Sequence, residues 1–122
     1  MKKFLSIGAI SGALAVITGA FGAHALKNII SFDMMEVYKT GVQYHFYHTF
    51  AILAVGILMK NNVTKYLKWS GWLFVLGIIL FSGSLYALAI SNIKSIGIIT
   101  PFGGLAFIAG WICLLVHVMK SR

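Results

Sequence analysis

Acidic side chains are almost missing from this chain: Asp33 and Glu36 are the only two among 122 residues, against ten lysines and arginines. All charged residues together make up 10% of the sequence, and 60% is hydrophobic. A soluble domain carries about 25% charged residues and less than half apolar ones. So little charge cannot cover a surface that faces water. Cysteine is scarce too. Cys113 stands alone inside an apolar run, which excludes an internal disulfide and a thiolate zinc site and leaves a packing residue. The length allows one domain. The +8 formal charge would suit nucleic acid, but the basic residues sit between long apolar runs. They read as topology signals and contacts to anionic lipid headgroups, and nucleic acid is excluded as a partner.

What is present is a set of four apolar runs. A membrane span needs roughly 20 such residues at 1.5 Å rise each. Phe4 to Ala23 contains no charge, and Gly41 to Met59, Trp69 to Ile90 and Pro101 to Met119 follow it. The expectation is an all-α protein: one transmembrane domain over 1–122, an integral membrane bundle of four helices at about 4–23, 41–59, 69–90 and 101–119. Only the connection 24–40 is long enough for extra structure. There Ser31 is placed to cap a helix, with Asp33 and Glu36 in or near its first turn, where the helix dipole favours negative charge. Nothing but Gly41 interrupts the stretch from Phe32 to Met59, so one long helix is expected. It would overshoot the hydrocarbon core or bend at Gly41. Thr100-Pro101 reads as a helix start, with Thr as cap and the only proline at the first helical position.

The positive-inside rule orients the spans. One side collects the N-terminus, the 60–68 linker and the C-terminus, with Lys2, Lys3, Lys60, Lys65, Lys68, Lys120 and Arg122 and no acid. The other holds Lys27, Lys39 and Lys94 with Asp33 and Glu36, a net of +1. Both termini are therefore expected in the cytoplasm. A competing reading takes Lys2-Lys3, the apolar run and Ala23-His24-Ala25 as a cleaved signal peptide. The run is longer than the usual 7–15-residue core of such a signal. It also carries Gly8, Gly12, Ala15, Gly19 and Gly22 along one face, which suits a retained helix. Ser70, Gly77 and Ser84, and then Gly103, Ala106 and Gly110, form similar small-residue stripes. Close packing inside the bundle is the first reading of all three; a homo-oligomer is the second.

Polar side chains inside a membrane are costly and tend to mark function. Here they gather in the outer half: His24, Gln43, Tyr44, His45, Tyr47, His48, Thr49, Ser82, Ser84, Tyr86 and Thr100. The inner half has almost nothing comparable except His117 at its edge. His24, Gln43, Tyr44, His48, Ser82, Ser84, Tyr86 and Thr100 are the candidate ligand-binding set, open to the outer surface. His48 is expected to hydrogen-bond to Ser82, Ser84, Tyr86 or Thr100. The alternatives are plain: Tyr44, Tyr47, Trp69 and Trp72 as interfacial anchors, and the hydroxyls bonded to their own helices. His45 and His48 at i, i+3 could share a metal, but zinc needs three or four ligands and no carboxylate lies in a span. Haem between His24 and His48, or a quinone near Tyr44 and His48, stands behind these. No metal, cofactor or catalytic residue is assigned.

Gly22-Ala23-His24, Thr40-Gly41-Val42-Gln43-Tyr44 with His48, Phe81-Ser82-Gly83-Ser84-Leu85-Tyr86 and Thr100-Pro101-Phe102-Gly103-Gly104 resemble the YgdD/YwdK type of small bacterial membrane proteins of unknown function. The resemblance covers essentially the whole chain, in order and at the right spacing. It implies a bacterial cytoplasmic-membrane protein with four spans and an uncleaved N-terminus, and it brings no activity with it. His45 matches that pattern less well, because members often carry another residue there. Three function classes follow in order: binding or transport of a small molecule or lipid headgroup at the outer polar cluster; a structural or regulatory membrane subunit; and a haem, quinone or metal redox protein. Membrane lipids are the expected partners.

Overall fold

The computed structural model describes residues 1–121 of the chain; Arg122, one of the seven basic residues counted above, lies outside them. Four long helices account for nearly all of it, and the described residues contain no strand. They are α1 (Lys2–Leu26), α2 (Phe32–Leu58), α3 (Lys65–Ser91) and α4 (Thr100–Lys120), the last preceded by a 3₁₀ turn at Lys94–Ile98. α1 contains one π-helical stretch, Ile17–Gly22, and α3 another, Ile78–Ser82. Each such stretch admits an extra residue and shifts the side chains beyond it around the helix.

The helix ends follow from local chemistry. Ser31 has extended backbone angles and its Oγ accepts the Met34 amide at 3.1 Å, while Asp33 sits in the first turn of α2. Thr64 does the same for α3, accepting from the Leu67 amide at 3.2 Å. Asn92, in the left-handed region at φ 59°, ends α3 and returns its amide to the Leu88 carbonyl. Thr100 departs from its expected role. Ile99 is already helical, its carbonyl takes the Phe102 and Gly103 amides, and the Thr100 hydroxyl is left to pair with Ser84.

α2 runs through Gly41 without a break for 27 residues, about 40 Å by helix rise. The small-residue stripes sit inside the chain's own contacts. A Cβ on Gly8 would strike Leu53, one on Gly22 would strike Tyr38, and Ala15 is fully buried, so α1 lies antiparallel on α2. Gly41 meets Leu85 and Tyr86, which sets α2 against α3. Gly77 meets Phe107, and Gly103 meets the backbone of Leu80 and Phe81, which sets α3 against α4. Ser70 adds a hydrogen bond to the Gly110 carbonyl at 2.8 Å. In lipid, packing of this kind supplies much of the association energy.

α1, α3 and the stretch Lys94–Lys120 are each long and apolar enough to cross a membrane. α2 is long enough but not apolar enough, because of Gln43, Tyr44, His45, Tyr47 and His48, so the described residues hold three helices of this kind where the sequence led to the expectation of four. Towards the end of the bundle that carries both chain termini, Phe4, Ile52, Val55, Leu67 and Phe74 form the dry centre of the core.

Candidate functional site

The polar residues of α2 point to two different sides. His45 and Thr49 turn towards α1 and α3; His48 and Tyr44 turn towards α4. A groove opens beside each group.

The first groove lies between α1 and α3, with a volume of about 440 Å³. α1 packs on α2 and has few contacts with α3, so the two outer helices stand apart. The gap is closed at both ends. Phe4 reaches across at the end nearer the chain termini to fill the space above Gly71 and meet Trp72 edge-on at 5.2 Å. Towards the opposite end the Thr18 and Tyr86 hydroxyls approach to 3.4 Å. Between these pinches Ile7, Ile10, Leu14, Val75, Ile78 and Ile79 make nearly all of the wall. The extra residue in the π-helical stretch of α3 lets Ile78 and Ile79 on one side of it, and Gly83 and Tyr86 on the other, line the same opening.

Along the floor runs a connected set of polar groups. His45 Nδ1 is 2.9 Å from the Tyr86 hydroxyl, and His45 Nε2 is 3.1 Å from Ser11 Oγ. Ser11 Oγ is 2.6 Å from Thr49 Oγ1, and Thr49 donates to the His45 carbonyl at 2.8 Å. Tyr38 donates to the Thr18 carbonyl above them. Counting from the start of α1 and the end of α2, Ser11 and Thr49 stand roughly 14 Å into the bundle, about half a hydrocarbon thickness.

The second groove, about 520 Å³, is aromatic. Tyr44, Tyr47, Phe81, Phe107 and Trp111 surround His48. The His48 ring stacks on Phe107 with centroids 3.5 Å apart and planes at 8°. Trp111 Nε1 can only donate, so His48 Nε2 accepts from it at 3.1 Å. Nδ1 therefore carries the proton and donates to the Tyr44 carbonyl at 2.8 Å. Both nitrogens are occupied. The expected partners Ser82, Ser84, Tyr86 and Thr100 are engaged elsewhere, and the Trp111 indole takes their place.

The eight sequence candidates thus separate. Tyr86 belongs to the first groove, Tyr44 and His48 to the second. Ser82 donates to the Gly41 carbonyl at 2.7 Å, and Ser84 donates to its own helix at Phe81 while its oxygen meets the Thr100 hydroxyl. Those three fasten helices together. His24 and Gln43 are exposed. His45, Ser11, Thr18 and Thr49 complete the first groove without being singled out as ligand contacts beforehand. A signal was there: Ser11 and Thr18, seven residues apart, flank the small-residue face of α1, and His45 and Thr49 share a face at i, i+4. Among the described residues no three of His, Cys, Asp and Glu come together as a metal cluster.

Four long apolar helices with three of their four histidines, His45, His48 and His117, turned inward define a small helical membrane protein. Residues 18–104 match the family described as "Protein of unknown function (DUF423)". The UPF0382 membrane protein YwdK of Bacillus subtilis is 46% identical over 121 residues, 98% of each chain. The UPF0382 inner membrane protein YgdD of Escherichia coli K12 is 40% identical over 99% of this chain and 92% of its own. A UPF0382 membrane protein of Staphylococcus saprophyticus is 44% identical over 98% of this chain and 99% of its own. The chain belongs to this family. No solved structure matches it.

Proposed function

We propose that the chain crosses the bacterial cytoplasmic membrane four times with both termini in the cytoplasm, and that it binds a membrane-dissolved hydrocarbon ligand in the groove between α1 and α3. Crossing by α2 is supported by where its polar side chains go: His45, His48 and Thr49 are buried and hydrogen-bonded, so their cost in lipid is removed. The orientation is supported by cations meeting rings at the expected inner end. Lys3 Nζ lies 5.5 Å from the Trp72 ring, and Lys65 and Lys120 flank Tyr66 at 5.2 and 5.9 Å.

The observation that carries the binding function is the shape of the groove: apolar walls, a floor of linked polar groups and closure at both ends. Its volume falls within the roughly 300–1,000 Å³ of small-molecule sites. The opening is lateral, so a ligand would enter from the bilayer.

A photoactivatable alkyl diazirine, applied to the full chain in bicelles, tests this. Labelling should concentrate on Ile10, Leu14 and Ile79. It should fall in Gly83→Phe, because a Cβ at Gly83 meets only the Ile78 carbonyl, at 3.9 Å, and the ring can grow into the groove. Uniform labelling of all lipid-facing residues, unchanged by Gly83→Phe, would overturn it. A purely structural subunit is the second function: among the described residues no buried side-chain nitrogen or oxygen lacks a partner. That result of the labelling would favour it.

A further inference from the structure

The hydrogen bonds on the groove floor can be given directions, because each proton can be counted. A carbonyl only accepts, so the Thr49 hydroxyl proton is committed to the His45 carbonyl. In the 2.6 Å pair between Ser11 and Thr49, Ser11 must then be the donor. With its only proton spent, Ser11 accepts from His45, so His45 Nε2 carries a hydrogen. The two acids of the chain, Asp33 and Glu36, lie at the start of α2, three and two helical turns before His45, and the ring stays neutral. Its Nδ1 is therefore a bare lone pair, and Tyr86 donates to it. Thr18 spends its proton on the Ala15 carbonyl. Tyr86→His45→Ser11→Thr49→carbonyl is a one-way relay with no donor left over. What it still offers is acceptor capacity on the Tyr86 and Ser11 oxygens, which reach the groove only through a narrow polar opening in an otherwise apolar lining.

Resting on the groove proposed above as the ligand's site, we infer that the ligand is an uncharged lipid alcohol or phenol: a hydrocarbon body whose single hydroxyl donates to the floor. A carbonyl or ether head would find no donor there. A phospholipid head would bring its charge into a wall of isoleucine and leucine, at a cost the relay cannot offset. Binding a donor would also polarise the relay further, since each bond strengthens the next.

The probes are farnesol, which donates, and farnesyl methyl ether, which has the same body and only accepts. Both compete against the diazirine in the wild-type chain, so no folding defect intervenes. Farnesol should compete better by roughly threefold to tenfold, the range of one net hydrogen bond. Equal competition would overturn the donor inference and leave the groove as a hydrocarbon site. Specific labelling that neither compound displaces would overturn it too. No specific labelling at all would remove the groove proposal and this inference with it. Nitrogen NMR of histidine-labelled protein gives an independent readout. His45 should show a protonated Nε2 and a bare Nδ1, with His48 the reverse. A protonated Nδ1 on His45 would turn the relay round, free the Tyr86 proton and overturn the inference.

Discussion

Replacing Trp111 by Phe removes one hydrogen-bond donor and little else. The Phe74 ring meets Trp111 edge-on at 4.9 Å, and a benzene ring can keep that contact. What is lost is the Nε1–H to His48 Nε2 bond at 3.1 Å. Interhelical bonds in membranes average about 0.6 kcal/mol and reach about 1.7. The bond here is near the upper half of that range, because His48 is buried and stacked flat on Phe107 and has no rotamer freedom left to lose. His48→Leu costs more. It loses this bond, the Nδ1–H to Tyr44 bond and the ring stack, which adds about 0.5–1.5 kcal/mol, for a total of about 2 kcal/mol. A double-mutant cycle isolates the shared part. Reversible unfolding in bicelles of the wild type, Trp111→Phe, His48→Leu and the pair should give a coupling near 1 kcal/mol. The His48 Nε2 resonance should move in Trp111→Phe while Nδ1 stays protonated. A coupling of zero with an unmoved Nε2 would refute the bond, and with it the tautomer assigned to His48.

Other outcomes follow from the same contacts. Gly103→Ala should destabilise the chain by about 1–3 kcal/mol, since its Cβ would strike the Leu80–Phe81 backbone, which cannot swing aside; Gly83→Ala should be tolerated, and equal behaviour of the two in bicelle unfolding would contradict the α3–α4 packing. A reporter fused after residue 122 should be active only in its cytoplasmic form; activity of the external form alone would reverse the topology. Intact mass of the purified chain should include α1, whose glycine face is filled by α2; a chain starting near Leu26 would refute that.

Helix content and helix starts were legible because they depend on neighbours in sequence. Hydrophobic length, the Ser31 cap and the placement of Asp33 are local facts. Thr100 shows where locality fails. Its hydroxyl suits a cap, but Ile99, which follows the 3₁₀ turn in helical conformation, already supplies the helix with its first acceptor and leaves that hydroxyl to Ser84. The site is less legible, because a polar run along one helix does not say which neighbour each of its residues faces. At 100° per residue, His45 and His48 lie about 60° apart, enough for different neighbours to claim them. Ser11 takes the first and Trp111 the second. Which claim succeeds depends on the rotation of α2, and that is set by where Gly8, Gly41 and Gly56 let the other helices come close. The glycines thus shape the groove at a distance. By seating α1 on α2 alone they hold it away from α3 and leave the groove open, and in doing so they bring Ser11 and Tyr86 to the two nitrogens of one histidine.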